Sequence, residues 1–147
     1  MKQFLSVLLF AFTVAICNAQ VPAYNNEKGI AIKGYDPVAY FSDHAAVKGS
    51  TEFSHTWQGA TWHFKNQANL DSFKSHPSTY APEFGGYCAY GVSENHKAPI
   101  DPAAFTIVDN KLYLNYSPEV KKLWIKDTKG RIKKAEENWK TLKDSKE

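Results

Sequence analysis

An α+β fold, a small antiparallel sheet of hairpins covered by helices, is predicted by three features of this 147-residue chain. Two pairs of short runs rich in aromatic and β-branched residues flank turn residues, as hairpin strands do. Two later segments carry apolar residues at helical spacing behind strong helix-start signals. Aromatic residues make up 14% of the chain, enough to build a core or a groove from rings, and no repeat or low-complexity linker divides it.

In chain order, residues 20–28 are polar and read as a flexible lead-in. Gly29 to Lys33 alternates and predicts a short strand. Gly34-Tyr35-Asp36-Pro37 is a turn, in which Asp36 can cap a short helix over residues 38–41 with Pro37 in its first turn. Residues 51–57 and 61–65 predict two strands around Gln58, Gly59 and Ala60. Asn66 can cap a helix running to about His76, with Leu70 and Phe73 on one face and Pro77 ending it.

Residues 80–91 read as irregular or briefly helical. Residues 105–108 and 111–116 predict a hairpin that turns at Asp109-Asn110. Ser117-Pro118-Glu119 combines a cap, a first-position proline and a first-turn acid, so a helix follows with Val120, Leu123 and Trp124 inward. A second helix begins near Thr128, with Ile132, Ala135 and Trp139 inward.

The N-terminus reads as an export signal. Lys2 supplies a basic start, residues 4–16 are apolar except for Ser6 and Thr13, and Asn18-Ala19 offers a small-residue cleavage point before Gln20. The apolar run is short for a membrane span. A retained anchor and a lipid on Cys17 are the alternatives. The expected organisation is a signal peptide at 1–19, a lead-in at 20–28, one domain at 29–140 and a polar tail at 141–147. Extracytoplasmic localisation, periplasmic or secreted, follows, with no membrane span after cleavage.

The formal charge is +3, too balanced to favour nucleic acid as a partner. Lys and Arg concentrate beyond residue 120, interleaved with Asp and Glu, as on a solvated helical face. Asp36 and Asp101 each precede Pro and read as caps and turns, not as acid/base catalysts. A Gly-rich phosphate loop and a Gly-x-Ser-x-Gly motif are both missing from the sequence.

After cleavage one cysteine remains, Cys88, in the run Tyr87-Cys88-Ala89-Tyr90 behind Gly85-Gly86. An exported chain with one cysteine has no internal disulfide. Cys88 is then a buried packing residue, a reactive thiol, a soft metal ligand or a bond to another chain. The two glycines allow a tight bend or a close approach. Soft metals need thiolate, thioether or imidazole ligands, and the chain holds five histidines. His55 and His63 face one another only if Gln58, Gly59 and Ala60 form a three-residue loop; a two-residue loop sends them to opposite faces. His76 sits at a predicted helix C-terminus, where an imidazolium suits the helix dipole. His44 and His96 lie in polar loops.

Several segments resemble the YHS-domain family: residues 34–41 with their Asp-Pro-Val start, residues 60–65 as an aromatic second strand, and residues 73–80 as a helix ending in Pro…Tyr. Residues 85–89 and 111–115 are similar to an exported branch of that family. The resemblance spans about residues 29–140. It implies a treble-clef-like ββα unit, followed here by the C-terminal hairpin and two helices. It also implies transition-metal binding, through cysteines at positions that Ala39 and Lys65 occupy in this chain. The expected function is an exported binding protein that holds copper, zinc or a small ligand near Cys88, with His55, His63 and His76 as the other candidate metal ligands. The alternative is a structural or protein-interaction module with Cys88 in its core. Catalysis is not expected, although a thiol-dependent activity stays open.

Overall fold

The computed structural model describes residues 24–146. The expected signal peptide at 1–19 and residues 20–23 of the lead-in lie outside those residues.

A four-stranded sheet runs in the order β1 (Asn26–Glu27), β2 (Ile30–Ala31), β4 (Ala60–Phe64), β3 (Ser50–Trp57). Its central hairpin turns on two residues, since Trp57 pairs with Ala60. Gln58 and Gly59 both take left-handed backbone angles (φ 52° and 76°), which a two-residue hairpin turn requires. Ala60 is therefore the first residue of β4, not part of the loop. β2 joins β4 in parallel, so one pairing departs from the expected antiparallel pattern.

The strand expected over residues 29–33 is shorter than its alternation suggests. It stops at Ala31, and Ile32–Gly34 form a tight turn with positive φ at all three residues. Residues 26–27 of the lead-in are recruited as β1.

The second sheet is the hairpin β5 (Asp101–Val108) and β6 (Lys111–Asn115), turning at Asp109-Asn110 as the sequence predicts. β6 lies between two hydrophobic clusters, and period-2 alternation divides its side chains between them. Leu112 and Leu114 join Trp62, Phe64, Phe73 and Tyr40 in the first. Tyr113 joins Phe84, Val92, Trp124 and Ala135 in the second.

Six helices surround the sheets: α1 (Ala39–Ser42), α2 (Gln67–Ser75), α3 (Pro77–Tyr80), α4 (Ala89–Ser93), α5 (Pro118–Lys126) and α6 (Thr128–Leu142). Asn66 caps α2 by accepting from the Asn69 amide at 2.9 Å, and Ser117 caps α5 by accepting from the Val120 amide at 3.2 Å. Pro77 ends α2 and opens α3. On α5 only Trp124 is fully buried, and Leu123 is 42% exposed against the inward place expected for it. Leu123 stands about 100° round the helix from Trp124, off the face that Trp124 fixes to the core. α6 continues to a buried Leu142, past the expected domain limit at residue 140. No helix among the described residues is long and apolar enough to cross a membrane.

Asp36 ties the first half together. Its fully buried carboxylate accepts from the Val38 and Ala39 amides at 2.8 and 3.2 Å, as a cap does. The other oxygen accepts from the Lys65 amide at 2.9 Å and from Asn69 Nδ2 at 2.7 Å. One side chain thus fastens α1 to the end of β4 and the start of α2.

Candidate functional site

Cys88 settles into the first hydrophobic cluster at 2% exposure. Its Sγ accepts from the Gly91 amide at 3.4 Å, capping α4, and its thiol donates to Asn115 Oδ1 at 3.8 Å. The same Asn115 oxygen accepts from the Tyr90 amide at 3.2 Å. Asn115 Nδ2 is buried without a hydrogen-bond partner among the described residues. Burial pushes the Cys88 thiol pKa up, which favours the neutral form over a thiolate. The glycines before it serve packing. A Cβ on Gly86 would stand 3.0 Å from Ile32 Cγ2 and 3.1 Å from Pro82 Cγ, at a φ of 71°. Of the four roles open to Cys88, this environment matches packing and capping.

The candidate metal ligands do not converge. With a two-residue turn, His55 pairs with Trp62 and Ser54 with His63, so His55 and His63 point to opposite faces of the sheet. Burial, then the nearby Lys48, holds the His63 pKa below its ordinary value. His76 is exposed between α2 and α3. Among the described residues no three His, Cys, Asp or Glu side chains gather to hold a metal. At the two positions where the resemblance implies cysteines, Ala39 is buried in α1, and the Lys65 ammonium bonds Asp43 and holds its carboxyl below the usual range.

A different feature has the dimensions of a ligand site. An open groove of about 630 Å³ runs between the β3–β4 turn, the segment after α3, and α6. Tyr24 and Trp57 form one wall, their ring centroids 5.3 Å apart. Phe84 and Trp139 form another, with centroids 6.1 Å apart. Glu136, Trp139 and Lys143 line it from successive turns of α6, at the i, i+3, i+7 spacing of one helical stripe.

Glu83 lies between these walls. Burial raises its carboxyl pKa, and the approach of Glu136 adds to that against the opposing pull of Lys111, whose Nζ is 3.8 Å from Oε2. Burial and the same Glu83 push the Tyr24 hydroxyl up to about 12. The chain bends sharply here: Phe84, Gly85 and Gly86 all have positive φ (53°, 60° and 71°). The Asn25 amide, bonding Gly85 O at 2.6 Å, and the Glu83 amide, bonding Leu112 O at 2.8 Å, hold that bend in place. A non-glycine residue in this region is uncommon, and such strain concentrates at functional sites.

Sequence reasoning missed the groove because its walls come from four separate segments. The available signals were the density of aromatic residues and the spacing of Glu136 and Lys143 beside Trp139 on α6.

In comparison with known proteins, the model of the YHS domain matches residues 38–83. The match runs from the start of α1 to Glu83, so one side of the groove falls inside it, and Cys88 and α6 fall outside. No curated protein and no solved structure matches the chain significantly.

Proposed function

We propose that this YHS-domain chain is a non-catalytic, exported binding module whose ligand site is the aromatic groove between the YHS segment and α6. The groove itself carries the reading: it has the volume of a small-molecule site, aromatic walls and a few polar groups set among them. The buried Cys88 lies outside its lining, in a setting that favours neither a nucleophile nor a soft-metal ligand. Copper and zinc have no part in this reading. Export is supported by the basic start, apolar run and Asn18-Ala19 cleavage point.

The test uses the four indole N–H signals of the secreted protein in a nuclear magnetic resonance screen of small neutral, cationic and anionic ligands. Binding in the groove shifts Trp57 and Trp139 and leaves the fully buried Trp124 in place. Ligands that shift neither groove tryptophan, or protein that purifies with a stoichiometric metal lost in Cys88→Ala, refute the reading. A mass corresponding to a start at Gln20 supports export.

A protein-docking role is the second reading, favoured by Tyr116, Leu123 and Ile125, which stand exposed at and beyond the end of β6.

A further inference from the structure

We propose that the groove takes an organic ammonium, a cation with an apolar body, held between the indoles of Trp57 and Trp139 and the carboxylate of Glu83. This rests on the groove being the ligand site and adds the chemical class.

The charge of the lining is opposite to that of the chain. Glu83, Glu136 and Asp144 line it with one lysine, Lys143, in a protein of formal charge +3; Lys111 stands beside Glu83 and Lys97 near Asp144 and over the Trp139 ring, 5.9 Å from its centroid, so that ring already draws an ammonium. Local negative potential on a positive molecule selects a cation. The aromatic walls add to it, because each ring face carries negative quadrupole density that attracts an ammonium, most strongly from Trp. Glu83 gives the attraction a focus. Its carboxylate is half-buried, its ammonium neighbour Lys111 is at the long end of ion-pair distance, and Glu136 repels it. A ligand cation supplies the compensation that water no longer provides.

A metal ion is a poorer match, because it needs donors gathered at one point and no such cluster forms among the described residues. A quaternary, methylated ammonium spreads its charge over its alkyl groups and matches a site made of ring faces with acids distributed along it.

The test is a titration of secreted protein with choline, benzyltrimethylammonium and 3,3-dimethylbutan-1-ol, the neutral counterpart of choline. Intrinsic tryptophan fluorescence reports binding, and calorimetry confirms it. The expected result is saturable binding of both cations, with the neutral alcohol at least about tenfold weaker. Glu83→Gln weakens the cations about tenfold without lowering the thermal midpoint, and Trp139→Leu weakens them by a similar factor. Affinity for the cations falls as pH drops through the raised Glu83 pKa, because only the carboxylate attracts them.

Equal binding of choline and the alcohol overturns the ammonium assignment and leaves the groove a ligand site. Failure of the cations where neutral ligands in the resonance screen do bind overturns it in the same way. Concentration-dependent self-association that shields Trp57 and Trp139 would assign the groove to a second copy of the chain and overturn it as well.

Discussion

Replacing Asp36 with alanine tests the claim that one buried carboxylate organises the first half of the fold. Its two oxygens receive four donors: the Val38, Ala39 and Lys65 amides and Asn69 Nδ2. Losing a helix cap costs about 1 kcal/mol. The Lys65 amide and the Asn69 side chain are then left without their acceptor, at about 1–3 kcal/mol each. Release of a carboxylate from burial offsets part of this, and a net loss of about 4 kcal/mol results. With a urea slope of about 1.5 kcal/mol/M, the midpoint drops by about 2–3 M. Unfolding followed by tryptophan fluorescence measures it, because Trp62 is packed within the same cluster. A double-mutant cycle with Asn69→Ala separates the long-range bond from the cap, and a coupling of at least about 1 kcal/mol is expected. An alanine variant within about 1 kcal/mol of the parent would show that the four donors find other partners, and the keystone role would be wrong.

Cys88 is expected to resist iodoacetamide in the native state and to react on unfolding, as a mass-shift assay reads. Its burial also sets a pH trend. The folded thiol has the higher pKa, so its contribution to stability is complete below the unfolded value of about 8.5 and declines as pH rises beyond that. Thermal melts from pH 7 to 10 should show a fall that is smaller in Cys88→Ala. Glu83 behaves in the same sense at lower pH. Its folded pKa is raised, so Glu83→Gln should raise the thermal midpoint at pH 7 and change it little below the unfolded value of about 4.3. Gly86→Ala should cost about 1–3 kcal/mol in urea unfolding, because a Cβ there meets Ile32 and Pro82 at a left-handed φ.

The parts of this fold that were legible in the sequence are those fixed within a few residues. Asn66, Ser117 and the Asp109-Asn110 turn act on their own neighbours, and each does what its local chemistry predicts. Asp36 was legible only in part: the cap lies two and three residues away, and the bonds to Lys65 and Asn69 cross 29 and 33 residues. The relation of His55 to His63 depended on one detail, the length of the β3–β4 turn. Gln58 accepts the strained half of a two-residue turn, and the pair separates. Leu123 illustrates a different limit. Helical spacing admitted several inward faces for α5, and the packing of Trp124 into the cluster around Tyr113 chose one.

A groove can form where no motif marks it. The YHS match ends at Glu83, and the chain then turns through three left-handed residues before Cys88. That bend carries Phe84 away from the first hydrophobic cluster and into the second, where Trp139 covers it from α6. Glu83, the last residue before the bend, is partly buried and lines the groove together with an indole packed on each cluster: Trp57 on the first, Trp139 on the second. Removing α6 would therefore abolish the groove while leaving the β3–β4 pairing and the four bonds of Asp36 in place. The metal chemistry implied by the YHS resemblance would require ligands within the segment from α1 to α2, where Ala39 and Lys65 supply none. The proposed groove needs what α6 adds to that segment, since Trp139 and Glu136 line it from there.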